Sequence, residues 1–305
     1  MAFYLGIDAG GTKTRCALGD GTTVLATSAS GGSNLVRTGA APSRDALHAA
    51  IREVCAAANI SPHQIRNVCI GAAGAARPQI ADQILGILAE LTTAAVEVVG
   101  DMVIALESAF GSGPGVLAIA GTGSIVYGRD PAGHTARAGG WGFAVSDEGS
   151  GHWIGRRAVS AVLRAHDGGG ETALTTLVLQ AFNVETLDEL IPVANGLPPP
   201  EFPRLFPVVL RAAEAGDGLA RSLLVEAGAE LAALTAIVIR RLFPQPPHAP
   251  VAMTGSVFRQ SAQVRRVFYN RLRKGFPDLE VRPDLAEPVE GALARARKAG
   301  QSKAG

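Results

Sequence analysis

The sequence predicts an α/β protein made of two domains. Three observations carry that expectation: strand-like and helical segments succeed one another in a fixed order, that order begins again after a glycine-rich joint, and each half holds a turn rich in glycine and threonine at the matching place. A chain of 305 residues is long enough for one large domain or two of ordinary size.

In the first half, "FYLGIDAG" (3–10), "TRCALGD" (14–20) and "TVLATSAS" (23–30) read as three short strands joined by glycine turns. "SRDALHAAIREVCAAANI" (43–60) then repeats apolar residues at helical spacing, with Ser43 placed to cap it. "VCIGAAG" (68–74) is an apolar strand, "QIADQILGILAEL" (79–91) a helix, and "AVEVVGD" (95–101) a strand ending at Asp101. The joint is "GSGPG" (111–115), after which "VLAIAGTGSIVYGRD" (116–130) gives a strand, a Gly-Thr-Gly turn and a second strand. "TARAGG" (135–140) gives a third. Helices are expected over 148–165 and much of 171–243, with the proline-rich stretch 192–207 as a surface loop. "VAMTGSVF" (251–258) and "LEVRP" (279–283) supply the last strands. The expected domains are 1–112 and 113–286, with a final helix over 287–298 packing back on the first and a frayed tail over 301–305.

Bulk properties exclude several classes. The chain is 47% hydrophobic and 18% charged, with a formal net charge of +1, so no excess charge draws it to nucleic acid or a membrane surface. The one dense basic run, 265–274, interleaves with Val264, Val267, Phe268 and Leu272 at helical spacing and reads as a solvated helix face. The most apolar long segment, 222–239, is broken by Glu226 and Glu230 and reads as a buried helix. No cationic flank or cleavage site marks a signal peptide. Three dispersed cysteines, Cys16, Cys55 and Cys69, favour a reducing cytoplasmic setting, and six scattered histidines suggest no zinc site.

The chemistry-bearing residues lie in the turns. "DAGGTKT" (8–14) and "AGTGS" (120–124) offer what a phosphate needs: glycines that let backbone N–H groups come close, and hydroxyl donors in Thr12, Thr122 and Ser124. Either turn alone could be an ordinary hairpin, but the matched pair favours a nucleotide held by both halves. Neither a P-loop nor a dinucleotide fingerprint occurs. Asp8 could cap a turn or hold Mg²⁺ through water. Asp101 could cap a helix or take the proton from an attacking hydroxyl in phosphoryl transfer. In "GGWGFAVSDEGSGHWIG" (139–155), Gly139 and Gly140 could bring backbone donors to a sugar, while Asp147 and Glu148 could accept from its hydroxyls. Asp147 could also cap the following helix, and Trp153 reads as core.

Together these motifs resemble the sugar-kinase, heat-shock-protein-70 and actin superfamily, and within it the N-acetylglucosamine kinase branch. "DAGGTKT", "GTGS", "GGWG" with "DEGSG.WIG", and "TGSVF" stand in that family's order and spacing across essentially the whole chain. The resemblance implies two ribonuclease-H-like (actin-like) domains, each a mixed sheet with flanking helices, around an ATP cleft. It implies that the loop of Gly10, Gly11, Thr12 and Lys13 and the loop of Gly121, Thr122, Gly123 and Ser124 bind the ATP phosphates. Gly255 and Ser256 would then sit against the adenosine, faced by the segment around Ala212. Asp101 matches the catalytic base and Asp8 the Mg²⁺ acid. Asn34, Gly74, Asp101, Gly139, Gly140, Trp141, Asp147 and Glu148 fall at sugar contacts. The chain departs from the pattern twice. Leu35-Val36 replaces the tryptophan that commonly follows Asn34, and Gly74 stands in a run where the family has Ser-Gly-Gly, so hydroxyl contacts are lost.

The expected activity is ATP-dependent phosphorylation of an amino sugar, N-acetyl-D-glucosamine at O6, by a homodimer. Glucosamine, N-acetylmannosamine and N-acetylmuramic acid are alternative acceptors. Two other classes share the fold: ATPase activators of CoA dehydratases, which need hinge cysteines that this chain lacks, and sugar-sensing repressors, for whose added DNA-binding domain a first strand at Phe3 leaves no residues.

Overall fold

The computed structural model describes residues 2–197, 200–243 and 249–301. In chain order, β1 (Phe3–Ala9), β2 (Lys13–Gly19) and β3 (Val24–Gly31) are followed by α1 (Leu35–Thr38) and α2 (Ala40–Ala57). Then come β4 (Ile65–Ala72), α3 (Pro78–Ala89), β5 (Ala95–Val99) and α4 (Asp101–Phe110). The next strands are β6 (Gly115–Ala120), β7 (Ser124–Arg129) and β8 (Thr135–Gly139). Five helices follow: α5 (Gly151–Asp167), α6 (Ala173–Phe182), α7 (Leu187–Ala194), α8 (Phe206–Glu214) and α9 (Gly218–Leu242). The chain closes with β9 (Val251–Thr254), α10 (Ser256–Gln260), α11 (Ala262–Gly275), β10 (Val281–Leu285) and α12 (Pro288–Gln301).

The strands form two five-stranded sheets with the same connectivity. The first runs β3-β2-β1-β4-β5 and the second, read from its opposite edge, β8-β7-β6-β9-β10. In each, the hairpin strands pair antiparallel and the strands entered through helices pair parallel. The α/β class with two mixed, helix-flanked sheets is therefore borne out. The chain folds as two compact units, unit 1 (residues 1–113 and 286–305) and unit 2 (residues 114–285).

Both faces of the unit 1 sheet are apolar, as near-continuous hydrophobic strands require. One face packs Leu5, Ile7 and Ile70 under Leu47, Ile51 and Val54 of α2 and Ile84 and Leu88 of α3. The other packs Tyr4 and Cys69 under Ile104 of α4 and Val289, Leu293 and Ala296 of α12. Buried Glu107 on α4 is paired with Lys298 and Arg295 of α12, which satisfies a charge that would otherwise be costly inside. Unit 2 has one large core centred on α9. Helix α9 is long and apolar enough to cross a membrane, yet its apolar face, with Leu224, Leu231, Val238 and Ile239, is buried in this core.

Four local expectations are corrected. Helix α2 starts at Ala40 rather than at Ser43, because Gly39 turns the chain at φ +83° and Pro42 sits in the first turn, where its missing N–H is not needed. Ser43 is buried inside that turn and bonds the Thr38 hydroxyl at 2.8 Å. The helix expected from 148 begins at Gly151 with Ser150 as its cap, so Asp147 does not cap it. The stretch 192–207 is mostly structured: Pro192 lies inside α7, Pro203 opens a short 3₁₀ turn (Phe202–Leu205) and Pro207 stands in the first turn of α8. Prolines are tolerated in first turns, and burial of Phe202, Leu205 and Phe206 anchors the segment. Pro198 and Pro199 lie outside the described residues, as does all of the expected frayed tail beyond Gln301, which itself ends α12.

Candidate active site

In unit 1 the candidate residues gather at the ends of strands. Asp8 is the penultimate residue of β1 and pairs with Arg15 on β2 and Gly71 on β4. Asp101 opens α4 directly after β5 and Gly100. Strands β1, β4 and β5 run parallel, so both acids lie at the same, C-terminal, edge of the sheet, where open α/β sheets place their ligands. Asp101 does not cap the helix. Its Oδ1 accepts the adjacent Met102 N–H at 2.9 Å.

Burial pushes the Asp101 carboxyl up, opposed by that N–H bond. Asp8 is pushed up to about 7, first by burial and then by the Asp101 charge, while Arg15 pulls it down. Two buried carboxylates, one of them raised further by the charge of the other, make a site that gains from a cation.

The loop of Gly10, Gly11 and Thr12 closes on itself and on the chain after β3. Gly10 N–H donates to the Lys13 carbonyl at 3.1 Å, and Ser33 N–H donates to the Gly10 carbonyl at 3.1 Å. The Thr14 hydroxyl, fully buried, bonds the Gly31 carbonyl at 2.7 Å and the Ser33 hydroxyl at 2.6 Å. These ties bring Asn34 beside Gly11: a methyl built on Gly11 would lie 4.0 Å from Asn34 Nδ2 and 3.4 Å from Arg37 Nη1. Asn34 caps α1, its Oδ1 accepting the Val36 N–H at 3.0 Å, which leaves its amide N–H donors for other work. Gly74, at φ +81°, sits in the turn between β4 and α3. A methyl there would lie 2.7 Å from Arg77 Nη2 and 3.2 Å from Val36 Cγ2.

In unit 2 the loop 121–124 is held from below by α5. Gly151 N–H and His152 N–H donate to the carbonyls of Gly121 and Thr122 at 2.8 and 3.1 Å. The Ser124 hydroxyl donates to the Glu148 carbonyl at 2.7 Å. Gly255 stands at φ +104° against the end of β6, where any Cβ would fall 2.2 Å from the Ala120 carbonyl oxygen. Only glycine fits there, and its fit brings Ser256 next to Gly121.

Asp147 connects the two loops of this unit. It is buried and held at φ +64°, a left-handed conformation that costs a non-glycine residue on the order of 1 kcal/mol. Its carboxylate lies against Gly123, 2.8 Å from where a methyl would be. Burial pushes its carboxyl up, while the N–H groups of Ser124 and Gly142 pull it down. One side chain thus ties the Gly-Thr-Gly-Ser loop to the Gly-Gly-Trp-Gly loop. Gly140, at φ +70°, packs on the Ile125 side chain, and Gly139 lies near Glu148. Glu148 is oriented by Ser146, whose hydroxyl donates to Oε2 at 2.9 Å. Trp141 is 68% exposed with the Arg137 guanidinium over its ring at 4.0 Å. Trp153 is partly buried against the core.

Ala212 is fully buried in the core on α8. The same segment offers Leu210, Ala213 and Glu214 to an open cavity of about 460 Å³ shared with Arg221 and Gln263. The sequence reasoning missed Ser33, Arg37, Arg77 and Ser146. Arg37 and Arg77 each stand three residues beyond a glycine or asparagine assigned to the sugar, a spacing that one helical turn could have flagged.

The family model of the BadF/BadG/BcrA/BcrD ATPases matches residues 5–294, nearly the whole chain and every candidate site residue. The chain belongs to this ATPase family. It is 31% identical to the N-acetylmuramic acid/N-acetylglucosamine kinase of Clostridium acetobutylicum, over 97% of this chain and 99% of that one. It is 27% identical to the N-acetyl-D-glucosamine kinase of Dictyostelium discoideum, over 95% and 96%. A crystal structure from Chromobacterium violaceum, provisionally assigned as an N-acetylglucosamine kinase, superposes with a TM-score of 0.76 at 28% identity, covering 96% of this BadF/BadG/BcrA/BcrD ATPase and 98% of the other protein. The resemblance read from the motifs is borne out at the level of the family.

Proposed function

We propose that this ATPase-family chain is a kinase transferring the γ-phosphoryl group of ATP to an amino sugar, N-acetyl-D-glucosamine at O6, with Asp101 as general base. The observation that carries this is the pairing of Asp8 and Asp101 at one edge of the unit 1 sheet, each carboxyl pushed up by burial. A raised proton affinity makes a carboxylate a better acceptor for the hydroxyl proton. The kinases to which the chain is similar along its length support the acceptor class.

The proposed roles are those that the motif resemblance implies. Gly10, Gly11, Thr12 and Lys13 in unit 1 and Gly121, Thr122, Gly123 and Ser124 in unit 2 take the phosphates, and Gly255 and Ser256 the adenosine. The adenosine partner on α8 is its exposed flank rather than the Ala212 side chain, which the core covers. Asn34 and Gly74 hold the sugar from unit 1, and Gly139, Gly140, Trp141, Asp147 and Glu148 from unit 2. As the sugar O6 attacks phosphorus, its proton passes to Asp101 and ADP leaves. Positioning supplies most of the acceleration in such a transfer.

The acid pair fits Mg²⁺, since both donors are hard oxygens and a cation relieves the repulsion that Asp101 exerts on Asp8. Asp8 would hold it through water, and the ion supplies neutralisation of the phosphate charge. The activator class is disfavoured by the thiols. All three are buried, and burial pushes Cys55 up to about 11 and Cys69 up to about 12, unlike cluster-forming thiolates. Buried free thiols also suit the expected cytoplasmic setting, and the homodimer expected from the resemblance stays part of the proposal.

The test is an ATP-to-ADP coupled assay with N-acetylglucosamine, glucosamine, N-acetylmannosamine, N-acetylmuramic acid and glucose. Amino sugars should stimulate ADP release while glucose does not. Absence of any sugar-stimulated turnover would overturn the kinase assignment.

A further inference from the structure

We infer that Arg77 is a specificity residue for this kinase and that the sugar pocket takes amino sugars carrying a carboxylate arm. The inference rests on the proposed sugar contacts of Asn34 and Gly74. It goes beyond them by assigning a cation to the acceptor.

The geometry is local to unit 1. Arg77 follows the Gly74 turn, its N–H bonding the Gly74 carbonyl at 3.0 Å. Pro78 behind it favours extended backbone, and Arg77 stands at φ −87° and ψ 122° at the head of α3. The guanidinium therefore swings back over Gly74, so close that a methyl on Gly74 would sit 2.7 Å from Nη2. The motif resemblance implies a serine hydroxyl in this turn; here the turn offers the Arg77 guanidinium lying over Gly74 instead. Among the described residues no carboxylate pairs with Arg77. An exposed guanidinium with no acid partner presents a planar pair of donors that matches a carboxylate.

Val36, 55% exposed, borders Gly74 directly, and Arg37 lies near Gly11 on the other side of Asn34. A plain N-acetylhexosamine offers the Arg77 guanidinium no charge to meet. A sugar bearing a carboxylic ether arm does.

The test compares kcat/KM for N-acetylmuramic acid and N-acetylglucosamine in the wild type, Arg77→Ala and Arg77→Lys. The wild type should phosphorylate both. In Arg77→Ala the ratio of the acidic to the neutral sugar should fall about 10- to 100-fold, mainly through KM, as loss of one charge-assisted bidentate contact implies. Arg77→Lys should restore part of the ratio, and raising the salt should weaken only the acidic sugar. Arg77 is exposed, so unchanged thermal melts should accompany these effects. A ratio within about threefold of wild type in Arg77→Ala would overturn the inference. So would a wild type that phosphorylates N-acetylglucosamine but ignores the acidic sugar, a result that leaves the kinase assignment standing. Inactivity toward every amino sugar would instead remove the kinase assignment and this inference with it.

Discussion

Asp8→Asn should stabilise the metal-free protein while removing its activity. The Asp8 carboxyl is carried from an ordinary 3.8 to about 7 by burial and by the neighbouring Asp101 charge. A carboxyl whose proton affinity is raised on folding favours the fold when protonated, so its benefit is present at low pH and is lost as the pH rises through 7. At 1.36 kcal/mol per tenfold change, ionised Asp8 costs the fold about 4 kcal/mol at pH 8, and relaxation of the surroundings around the charge trims this to about 2–3 kcal/mol. The amide keeps the shape without the charge. All three cysteines lie buried in unit 1 and both tryptophans in unit 2, so urea titration followed by thiol labelling isolates the unit that holds Asp8. In EDTA at pH 8, Asp8→Asn should protect its thiols by about 2–3 kcal/mol more than wild type, and the gap should narrow steadily as the pH falls from 7 toward 4. A variant less stable than wild type at pH 8, or a gap that ignores pH, would refute the electrostatic account. Activity should fall in the same variant, since the destabilising charge is the one that meets the cation.

Asp101→Asn should lower turnover by about 10²- to 10⁴-fold with ATP affinity unchanged, as removal of a general base implies; a drop of less than about tenfold, measured by coupled assay and nucleotide titration, removes the role. Gly255→Ala forces a Cβ to 2.2 Å from the Ala120 carbonyl oxygen at φ +104°. It should cost unit 2 about 3 kcal/mol, seen as a fall of about 9 °C in the tryptophan-fluorescence melt, together with a higher KM for ATP. An unshifted melt would mean that the backbone there yields freely.

The order of elements, and with it the fold class, was legible from local pattern. Continuous apolar runs bounded by glycine mark strands buried on both faces, and apolar residues at helical spacing mark the helices between them, because each signal depends only on residues close in sequence. The positions of Asp8 and Asp101 at strand ends follow from the same pattern. Helix starts were less legible: Ser43 and Asp147 look like caps, but Gly39 and Ser150 begin their helices, since backbone conformation and tertiary contact choose among several capable residues. Proline at 203 and 207 reads as a loop, whereas burial of Phe202 and Phe206 makes the same prolines first-turn residues.

The sequence by itself determined two α/β halves of like order and a set of glycine and hydroxyl loops suited to phosphate. Only the tertiary structure decided that the Asp147 carboxylate ties the two loops of unit 2, that Arg77 folds back over Gly74, and that Asp8 and Asp101 share one sheet edge closely enough to raise Asp8 to about 7. The reason is physical. Strand and helix signals are set by neighbours along the chain, while the protonation of a carboxyl and the partner of a guanidinium are set by whatever remote segments fold against them.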